Sequence, residues 1–235
     1  MSEKITIAID GPAGSGKSTV AKAVAERLGY LYVDTGAMYR AITYAALKSN
    51  VDVENEVDEV VQIAKDADLS LKFENGLTRV FLNGEEVTDK IRSMEVSSKV
   101  SEVSVIPGVR ESLVKIQREM SANDSLVAEG RDTTTVVYPN AEVKIFLTAT
   151  LNERSERRYK EFIEKNKDVS FEIVRNNISK RDKIDSSREM SPLTKAEDAI
   201  EIDTTSMSVE EEIEAILSKV EEVKNKINLE KIKPS

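Results

Sequence analysis

The 235-residue chain contains no histidine, no cysteine and no tryptophan. These absences exclude Ser–His–Asp hydrolysis, cysteine nucleophiles, Cys/His zinc sites, c-type haem attachment and disulfide bonds. The groups that remain for chemistry are carboxylates, lysine, arginine, hydroxyls and backbone amides, together with a hard metal ion held by oxygen atoms. The sequence therefore limits any activity to reactions that these groups can support.

The chain also has an excess of acidic residues, with 34 Lys and Arg against 43 Asp and Glu and a formal net charge of −9. A surface of that sign repels nucleic acids and anionic lipids, so we expect neither as a partner. No apolar run approaches the roughly 20 residues that cross a bilayer, and residues 1–4 lead straight into an apolar strand, which leaves no room for a signal peptide. These features predict a cytoplasmic protein.

Apolar runs rich in β-branched residues alternate with helical stretches along most of the chain. The predicted strands cover residues 5–9, 30–33, 126–128, 143–147 and 199–203. Helices are predicted over residues 18–28, 57–67 and 109–120 and from residue 208 onwards. This alternation is typical of an α/β fold with a mostly parallel sheet flanked by helices.

The interval from about residue 60 to 105 has a different pattern, in which short alternating runs are separated by Asn75-Gly76 and Asn83-Gly84. Asn-Gly between such runs is a strong hairpin signal. We therefore predict a small antiparallel meander over residues 69–88, inserted between elements of the α/β core.

A phosphate-binding loop follows the first predicted strand and opens the first predicted helix, which is the context that its pattern G-x-x-x-x-G-K-[ST] requires. Its glycines let successive N–H groups point inward, and the helix N-terminus adds partial positive charge. Lys17 is placed to reach the β and γ phosphates, and the Ser18 hydroxyl is placed for Mg²⁺. The predicted ATP-binding residues are Gly11, Pro12, Ala13, Gly14, Ser15, Gly16, Lys17, Ser18 and Thr19.

Two carboxylates, Asp34 and Glu129, each end an apolar run and are candidates for the acid that assists the metal. Glu129 is the better positional match and would act on Mg²⁺ through water, so the predicted metal residues are Ser18 and Glu129. Either carboxylate has a plainer alternative role, which is to cap the turn that follows its strand. A guanine-binding Asn/Thr-Lys-x-Asp segment is missing, so the sequence does not indicate a GTP-specific switch.

Three polar clusters carrying arginines follow apolar runs, at the edge where open α/β sheets bind ligands. They cover residues 34–40, 130–135 and 181–188 and include Arg40, Arg131 and Arg188. Arginine binds phosphate with a planar, permanently charged fork, so the clusters favour a second phosphate site over surface ion pairs. The locally basic stretch 153–188, with Arg157 and Arg158, predicts a helical lid that closes over ATP; the alternative is a solvated amphipathic helix.

Taken in order, these motifs resemble the bacterial cytidylate kinases over about residues 5–217. The resemblance rests on the phosphate loop, Asp-Thr-Gly-Ala-Met-Tyr-Arg from Asp34, the three-stranded insert, Gly-Arg-Asp-x-x-Thr-Val-Val-x-Pro from Gly130, and Arg-Asp-x-x-Asp-Ser-x-Arg from Arg181. Two positions depart from the commoner family pattern. Glu129 stands where Asp is frequent, and Thr134 stands where Gly is frequent.

The resemblance implies a single P-loop kinase domain over residues 1–235, with a five-stranded parallel sheet, a monophosphate-binding insert at 35–110 and a lid with its following helix at 153–188. The implied reaction transfers the γ-phosphoryl group of ATP to CMP or dCMP with Mg²⁺ as cofactor, and we expect a monomer. Lys17, Arg131, Arg157, Arg158 and Arg188 are the implied catalytic residues. The implied CMP-binding residues are Thr35, Arg40, Ser101, Arg110, Arg131, Asp132, Arg181, Asp185 and Arg188.

Within that set, Ser101, Arg110 and Asp132 match the family positions that contact cytosine, and Arg40 and Arg131 match positions that hold the monophosphate, with Arg188 near it. Arg181 and Asp185 match contacts to the pentose, and Thr35 matches a hydroxyl near the phosphate and sugar.

Three other interpretations stay open at this point. The chain has features shared by other small P-loop kinases, such as UMP/CMP, shikimate or dephospho-coenzyme A kinases. A P-loop regulatory ATPase or switch would have no acceptor substrate. The acidic C-terminal segment could bind a partner, although residues 218–235 are predicted to be a frayed helix end.

Overall fold

The computed structural model describes residues 4–74, 77–122, 124–164 and 169–232. Its strands are β1 (Thr6–Asp10), β2 (Leu31–Asp34), β3 (Leu69–Glu74), β4 (Leu77–Leu82), β5 (Glu85–Glu86), β6 (Leu126–Gly130), β7 (Val143–Thr148) and β8 (Ile200–Asp203). Its α-helices are α1 (Lys17–Leu28), α2 (Thr35–Lys48), α3 (Val57–Asp66), α4 (Met94–Ser104), α5 (Pro107–Ser121), α6 (Leu151–Glu164), α7 (Phe171–Ser187) and α8 (Val209–Ile232).

The main sheet contains five parallel strands in the order β2-β6-β1-β7-β8. Its strands form from continuous apolar runs because helices cover both faces of the sheet. On one face Ile7, Ile9 and Val127 pack with α1 and α8, and on the other face Ala8 and Leu126 pack with α2 and α5. The prediction of a parallel α/β sheet is confirmed, with strand ends that differ from the predicted ones by at most two residues.

The predicted meander forms a separate antiparallel sheet in the order β3-β4-β5. At the turn between β4 and β5, Asn83 and Gly84 both have positive φ angles, 52° and 78°, as a type I′ turn requires. The other predicted turn, Asn75-Gly76, lies outside the described residues. Val80 and Leu82 bury against the main core, so the insert is anchored to the α/β domain by apolar contacts.

Two helices were not predicted from the sequence. Helix α2 begins directly after β2, and its first turn is capped by Asp34, whose Oδ1 accepts a hydrogen bond from the Ala37 backbone N–H at 2.8 Å. Helix α4 is capped by Ser93, whose hydroxyl accepts from the Val96 N–H at 3.2 Å. In both places polar residues near the start of the helix obscured the apolar pattern.

Helix α8 continues through Ile232, whereas the sequence predicts a frayed end from residue 218. The helix persists because Val220 is buried against the sheet and Val223 packs beside it. Residues 233–235 lie outside the described part of the chain. Within the described ranges, none of the helices combines the length and the apolar character needed to cross a bilayer.

The stretch predicted to be a lid contains helices α6 and α7, which pack against each other. The rings of Tyr159 and Phe171 meet edge to face with centroids 5.9 Å apart. Val174 and Ile178 of α7 bury against Ala13 of the phosphate loop. The two helices are therefore attached to the loop, and their closure over ATP stays a prediction.

Helices α3 and α5 approach closely at Gly108, which gives a test of the packing. A Cβ atom at Gly108 would lie 2.7 Å from Val61 Cγ1 and 3.0 Å from Val61 Cγ2. We expect Gly108→Ala to lower the free energy of unfolding by about 1–3 kcal/mol through overpacking. In a Val61→Ala background the same change should be neutral or stabilising by up to about 1 kcal/mol, because Ala is the better helix former.

The parent protein, the two single variants and the double variant can be compared by urea denaturation. Their m-values show whether unfolding stays two-state. An equal cost of Gly108→Ala in both backgrounds would contradict the close contact between Gly108 and Val61.

Candidate active site

The pairing of β1 with β6 determines where the site forms. The two strands are parallel and in register, with Ile9 opposite Glu129 and Asp10 opposite Gly130. Both strands therefore end at the same edge of the sheet, where β1 leads into the phosphate loop and β6 leads into Arg131 and Asp132. A cleft with a volume of about 630 Å³ opens at this edge.

All but two of the predicted site residues line this single cleft. Its walls contain Ala13, Gly14, Ser15, Gly16, Lys17, Ser18, Thr19, Thr35, Arg40, Ser101, Arg110, Glu129, Arg131, Asp132, Arg157, Arg158, Arg181, Asp185 and Arg188. Gly11 and Pro12 are not among its lining residues. A Cβ atom at Gly11 would lie 1.9 Å from the backbone oxygen of Leu147, so Gly11 allows the loop to leave the sheet.

Lys17 is buried at the first position of α1, where the left-handed Gly16 (φ 86°) begins the helix. Its ammonium group donates to the backbone oxygen of Pro12 at 2.7 Å and lies 3.4 Å from Ser15 Oγ. Burial lowers the pKa of Lys17, and the charge of Arg131 acts in the same direction. A polyphosphate in the loop would supply the negative charge that favours the ammonium form.

Ser18 and Glu129 are in direct contact. The Ser18 hydroxyl donates to Glu129 Oε1 at 2.5 Å, and the Tyr32 hydroxyl donates to the same oxygen at 3.2 Å. Burial raises the pKa of Glu129, and the nearby Asp34 adds to this effect. Asp34, the other candidate carboxylate, instead caps α2 and pairs with Arg40 at 2.9 Å.

The Ser18 hydroxyl and the Glu129 carboxylate are oxygen ligands that fit Mg²⁺. One hydroxyl and one carboxylate leave most coordination positions to water and phosphate oxygens, which is the arrangement that Mg²⁺ commonly adopts in kinases. In the described ranges, no cluster of three or more acidic, His or Cys residues forms a metal cage. The site thus suits a metal ion that arrives with a nucleotide.

Arg110 and Asp132 form a buried ion pair at one end of the cleft. Arg110 also donates from Nη1 to the Ser104 backbone oxygen at 3.0 Å, and its guanidinium lies 5.5 Å from the centroid of the Tyr39 ring. The guanidinium and the carboxylate are thereby held in fixed orientations at the cleft wall, where Ser101 also lies. This arrangement provides adjacent hydrogen-bond donors and acceptors for a heterocyclic base.

Arginines and their carboxylates occupy the space between that pair and the phosphate loop. Arg131 donates from Nε to Asp185 Oδ2 at 2.7 Å, and Arg188 Nη2 lies 4.0 Å from Asp132 Oδ1. Burial disfavours the charge on Asp185, but Arg131, Arg181 and Arg188 together outweigh this effect and the pKa of Asp185 is lowered. Desolvation by the surrounding protein, followed by the charge of Arg131, lowers the pKa of Arg181 to about 10.

The two predicted lid arginines line the cleft but are engaged with protein partners. Arg157 pairs with Glu153 at 2.9 Å and with the buried Glu212 at 3.2 Å, and it donates to the Thr204 backbone oxygen at 2.6 Å. Arg158 pairs with Glu161 at 2.6 Å. Both guanidinium groups are thus paired with carboxylates of the protein in this structure.

Sequence reasoning missed the residues that hold the phosphate loop from outside. Arg154 Nη1 donates to the Ala13 backbone oxygen at 2.8 Å and to Asp182 Oδ2 at 2.7 Å. Asp182 Oδ1 accepts in turn from the Ala13 N–H at 3.3 Å. Arg154 lies on the same helix as Arg157 and Arg158, but no local signal in the sequence pairs it with Asp182.

Asp10 was also missed, although it directly precedes the loop. It is completely buried and accepts hydrogen bonds from Thr133 and Thr134. A carboxylate at the end of an otherwise apolar strand was the available signal for it.

Comparisons with known proteins agree with this geometry. The family model described as cytidylate kinase matches residues 7–222. A cytidylate kinase from Bacillus subtilis (strain 168) is 51% identical over 222 residues, which cover 94% of this chain and 99% of the relative. A cytidylate kinase from Bacillus cereus (strain ATCC 10987 / NRS 248) is 49% identical over 218 residues, which cover 93% and 96%.

Among solved structures, an uncharacterized protein from Eubacterium ventriosum ATCC 27560 superposes with a TM-score of 0.51 at 16% identity. The superposition covers 94% of this chain and 99% of the other. At this identity it supports the fold alone. The family model and the two relatives, together with the cleft that joins a phosphate loop to a ring of arginines, show that the chain belongs to the cytidylate kinase family.

Proposed function

We propose that the cleft carries out the cytidylate kinase reaction, the transfer of the γ-phosphoryl group of ATP to CMP or dCMP, with the residues that line it in the roles given below. One observation carries the proposal. The phosphate loop and the Arg131–Asp132 turn lie at the ends of two adjacent parallel strands, so a triphosphate and a monophosphate can meet in one cleft.

Positioning and charge neutralisation supply the catalysis. The acceptor is a phosphate monoester anion, which is already a competent nucleophile, so the reaction needs no histidine as general base. Two polyanions must instead be brought in line against their mutual repulsion. Lys17 neutralises charge on the donor side, whereas Arg40, Arg131 and Arg188 neutralise it on the acceptor side.

Ser18 and Glu129 are the residues that would hold Mg²⁺, Ser18 through its hydroxyl and Glu129 through water. A Mg²⁺ ion held by these two residues would supply positive charge to the phosphates of the donor. The hydrogen bond between the two side chains holds the Ser18 hydroxyl at the cleft wall, where it would contact the metal ion.

Cytosine is the base that the buried pair suits best. The Asp132 carboxylate only accepts hydrogen bonds, which suits an exocyclic amine, and the Arg110 guanidinium only donates, which suits a ring nitrogen or carbonyl. Uracil presents a carbonyl in place of the amine and would face the carboxylate unfavourably. Ser101 also lines the cleft, and we assign its hydroxyl to the base and Thr35, Arg181 and Asp185 to the pentose.

Closure of α6 and α7 would bring Arg157 and Arg158 to the transferring group and exclude water. A monomeric enzyme is part of the proposal. A cytoplasmic location is also part of the proposal.

A panel of acceptors tests the function directly. ADP release from ATP is measured with CMP, dCMP, UMP, AMP, GMP, shikimate and no acceptor. We expect CMP and dCMP to be the best substrates and the rate without acceptor to be a small fraction of theirs. If another monophosphate or shikimate were clearly preferred, the chain would be a different small P-loop kinase, and hydrolysis unaffected by every acceptor would indicate a regulatory ATPase.

Asp132→Asn tests base recognition. The amide keeps the size of the side chain but replaces a charged acceptor oxygen with a donor. A charged hydrogen bond contributes about 1.5–3 kcal/mol, so we expect the KM for CMP to rise roughly 10- to 100-fold. The KM for ATP should change less than twofold, and the preference for CMP over UMP should fall because the amide can donate to the uracil carbonyl.

Asp198→Asn is a matched control, because Asp198 is an exposed carboxylate that pairs with Lys144 away from the cleft. Thermal unfolding of both variants checks that the Arg110 environment stays folded. An equal rise of the KM for CMP and for ATP in Asp132→Asn would remove Asp132 from base recognition.

A further inference from the structure

Asp10 sits where the two halves of the cleft join. It is the last residue of β1, it directly precedes Gly11 of the phosphate loop, and its side chain is completely buried. It is absent from the cleft walls, so it does not face a substrate. A carboxylate buried at this position must be stabilised by the residues around it, because an uncompensated charge in the interior strongly destabilises the fold.

Four hydrogen bonds offset part of the cost of burying this carboxylate, although desolvation still raises its pKa. Asp10 Oδ1 accepts from the Thr133 N–H at 2.9 Å and from the Thr133 hydroxyl at 2.5 Å. Asp10 Oδ2 accepts from the Thr134 N–H at 2.7 Å and from the Thr134 hydroxyl at 2.6 Å. Each oxygen thus binds one backbone and one side-chain donor of a single residue, and both threonines are buried.

The donors belong to the turn that presents the proposed acceptor-site residues. Thr133 and Thr134 begin a single π-helical turn (Thr133–Val137) and follow Arg131 and Asp132 immediately. On the other side of those two residues, Gly130 is packed so closely that a Cβ atom would lie 2.5 Å from Thr35 Oγ1 and 2.9 Å from Thr133 Cγ2. The segment from Gly130 to Thr134 is therefore fixed at both ends.

We propose that Asp10 is a positioning residue for the acceptor, which fixes the Arg131–Asp132 turn through Thr133 and Thr134 and so sets its place relative to the phosphate loop. This inference rests on the proposed function, since it concerns the CMP half of the same cleft. The backbone N–H donors of Thr133 and Thr134 fix the orientation of the turn. Their two hydroxyl donors hold the Asp10 carboxylate between them. Because Asp10 is continuous with the loop, any shift of the turn changes the separation of the two substrate sites.

The proposal gives Thr134 a purpose. A glycine at this position, as is frequent in the family that the sequence resembles, would provide the backbone N–H but not the hydroxyl. In this chain the threonine supplies the fourth hydrogen bond to Asp10. Threonine in place of glycine at this position is thus compatible with the turn and adds a hydrogen bond that holds it.

Thr134→Val and Thr134→Ser test the role, since valine removes the hydroxyl at nearly constant volume and serine retains it. We expect Thr134→Val to raise the KM for CMP roughly 5- to 30-fold, with the KM for ATP within twofold of the parent value, because one hydrogen bond to a buried charge is lost. Thr134→Ser should restore the KM for CMP to within twofold. Thr133→Val, measured in parallel, removes the equivalent donor from the other carboxylate oxygen and should act in the same direction.

Thr43→Val is the control for loss of a buried threonine hydroxyl. Thr43 is equally buried and donates to the Tyr39 backbone oxygen at 2.9 Å, without contact to Asp10. A purely structural effect lowers the melting temperature and the active fraction but leaves the KM for CMP unchanged, and this is the result expected for Thr43→Val.

The inference is overturned if both Thr134→Val and Thr133→Val keep the parent KM for CMP, if CMP and ATP are affected equally, or if serine fails to rescue. Failure of the proposed function is distinguishable, because the parent enzyme itself would then not prefer CMP or dCMP as acceptor.

Discussion

The parallel, in-register pairing of β1 with β6 is the constraint on which the rest of the site depends. It spans five residue pairs, from Thr6 opposite Leu126 to Asp10 opposite Gly130, and all of β6 is buried. Because both strands end together, the phosphate loop and the Arg131–Asp132 turn emerge side by side. Backbone hydrogen bonds and apolar burial in the sheet thus determine the separation of two substrate sites that are built from loops.

The second constraint is the cost of collecting positive charge in a cleft. Burial and neighbouring like charges both disfavour the charged form, as the pKa of Arg181 shows, which is lowered first by desolvation and then by Arg131. The protein offsets this cost with carboxylates that both neutralise and orient the arginines: Asp185 holds Arg131, Asp132 holds Arg110 and Asp34 holds Arg40. A chain with a net charge of −9 therefore has a cleft suited to polyanions, and the absence of histidine is no obstacle to phosphoryl transfer.

Much of this arrangement could be predicted from the sequence, because its signals are local. The phosphate loop, the Asn83-Gly84 turn and the apolar strands each depend on a few adjacent residues. The contacts that could not be predicted join distant segments: Asp10 with Thr133 and Thr134, and Arg154 with Asp182 around Ala13. Their partners are identified only once the strands are ordered. Helix α2 was missed for a local reason, since polar residues near its start obscured its apolar pattern.

The central claim is that one cleft binds CMP between the phosphate loop and the buried Arg110–Asp132 pair. A crystal structure of the enzyme with bound CMP tests it most directly. We expect cytosine to lie against Ser101, Arg110 and Asp132, with the monophosphate among Arg40, Arg131 and Arg188 and directed towards Lys17. Density for CMP elsewhere on the protein, or in the cleft with its base away from Arg110 and Asp132, would show that the cleft does not bind CMP in this way.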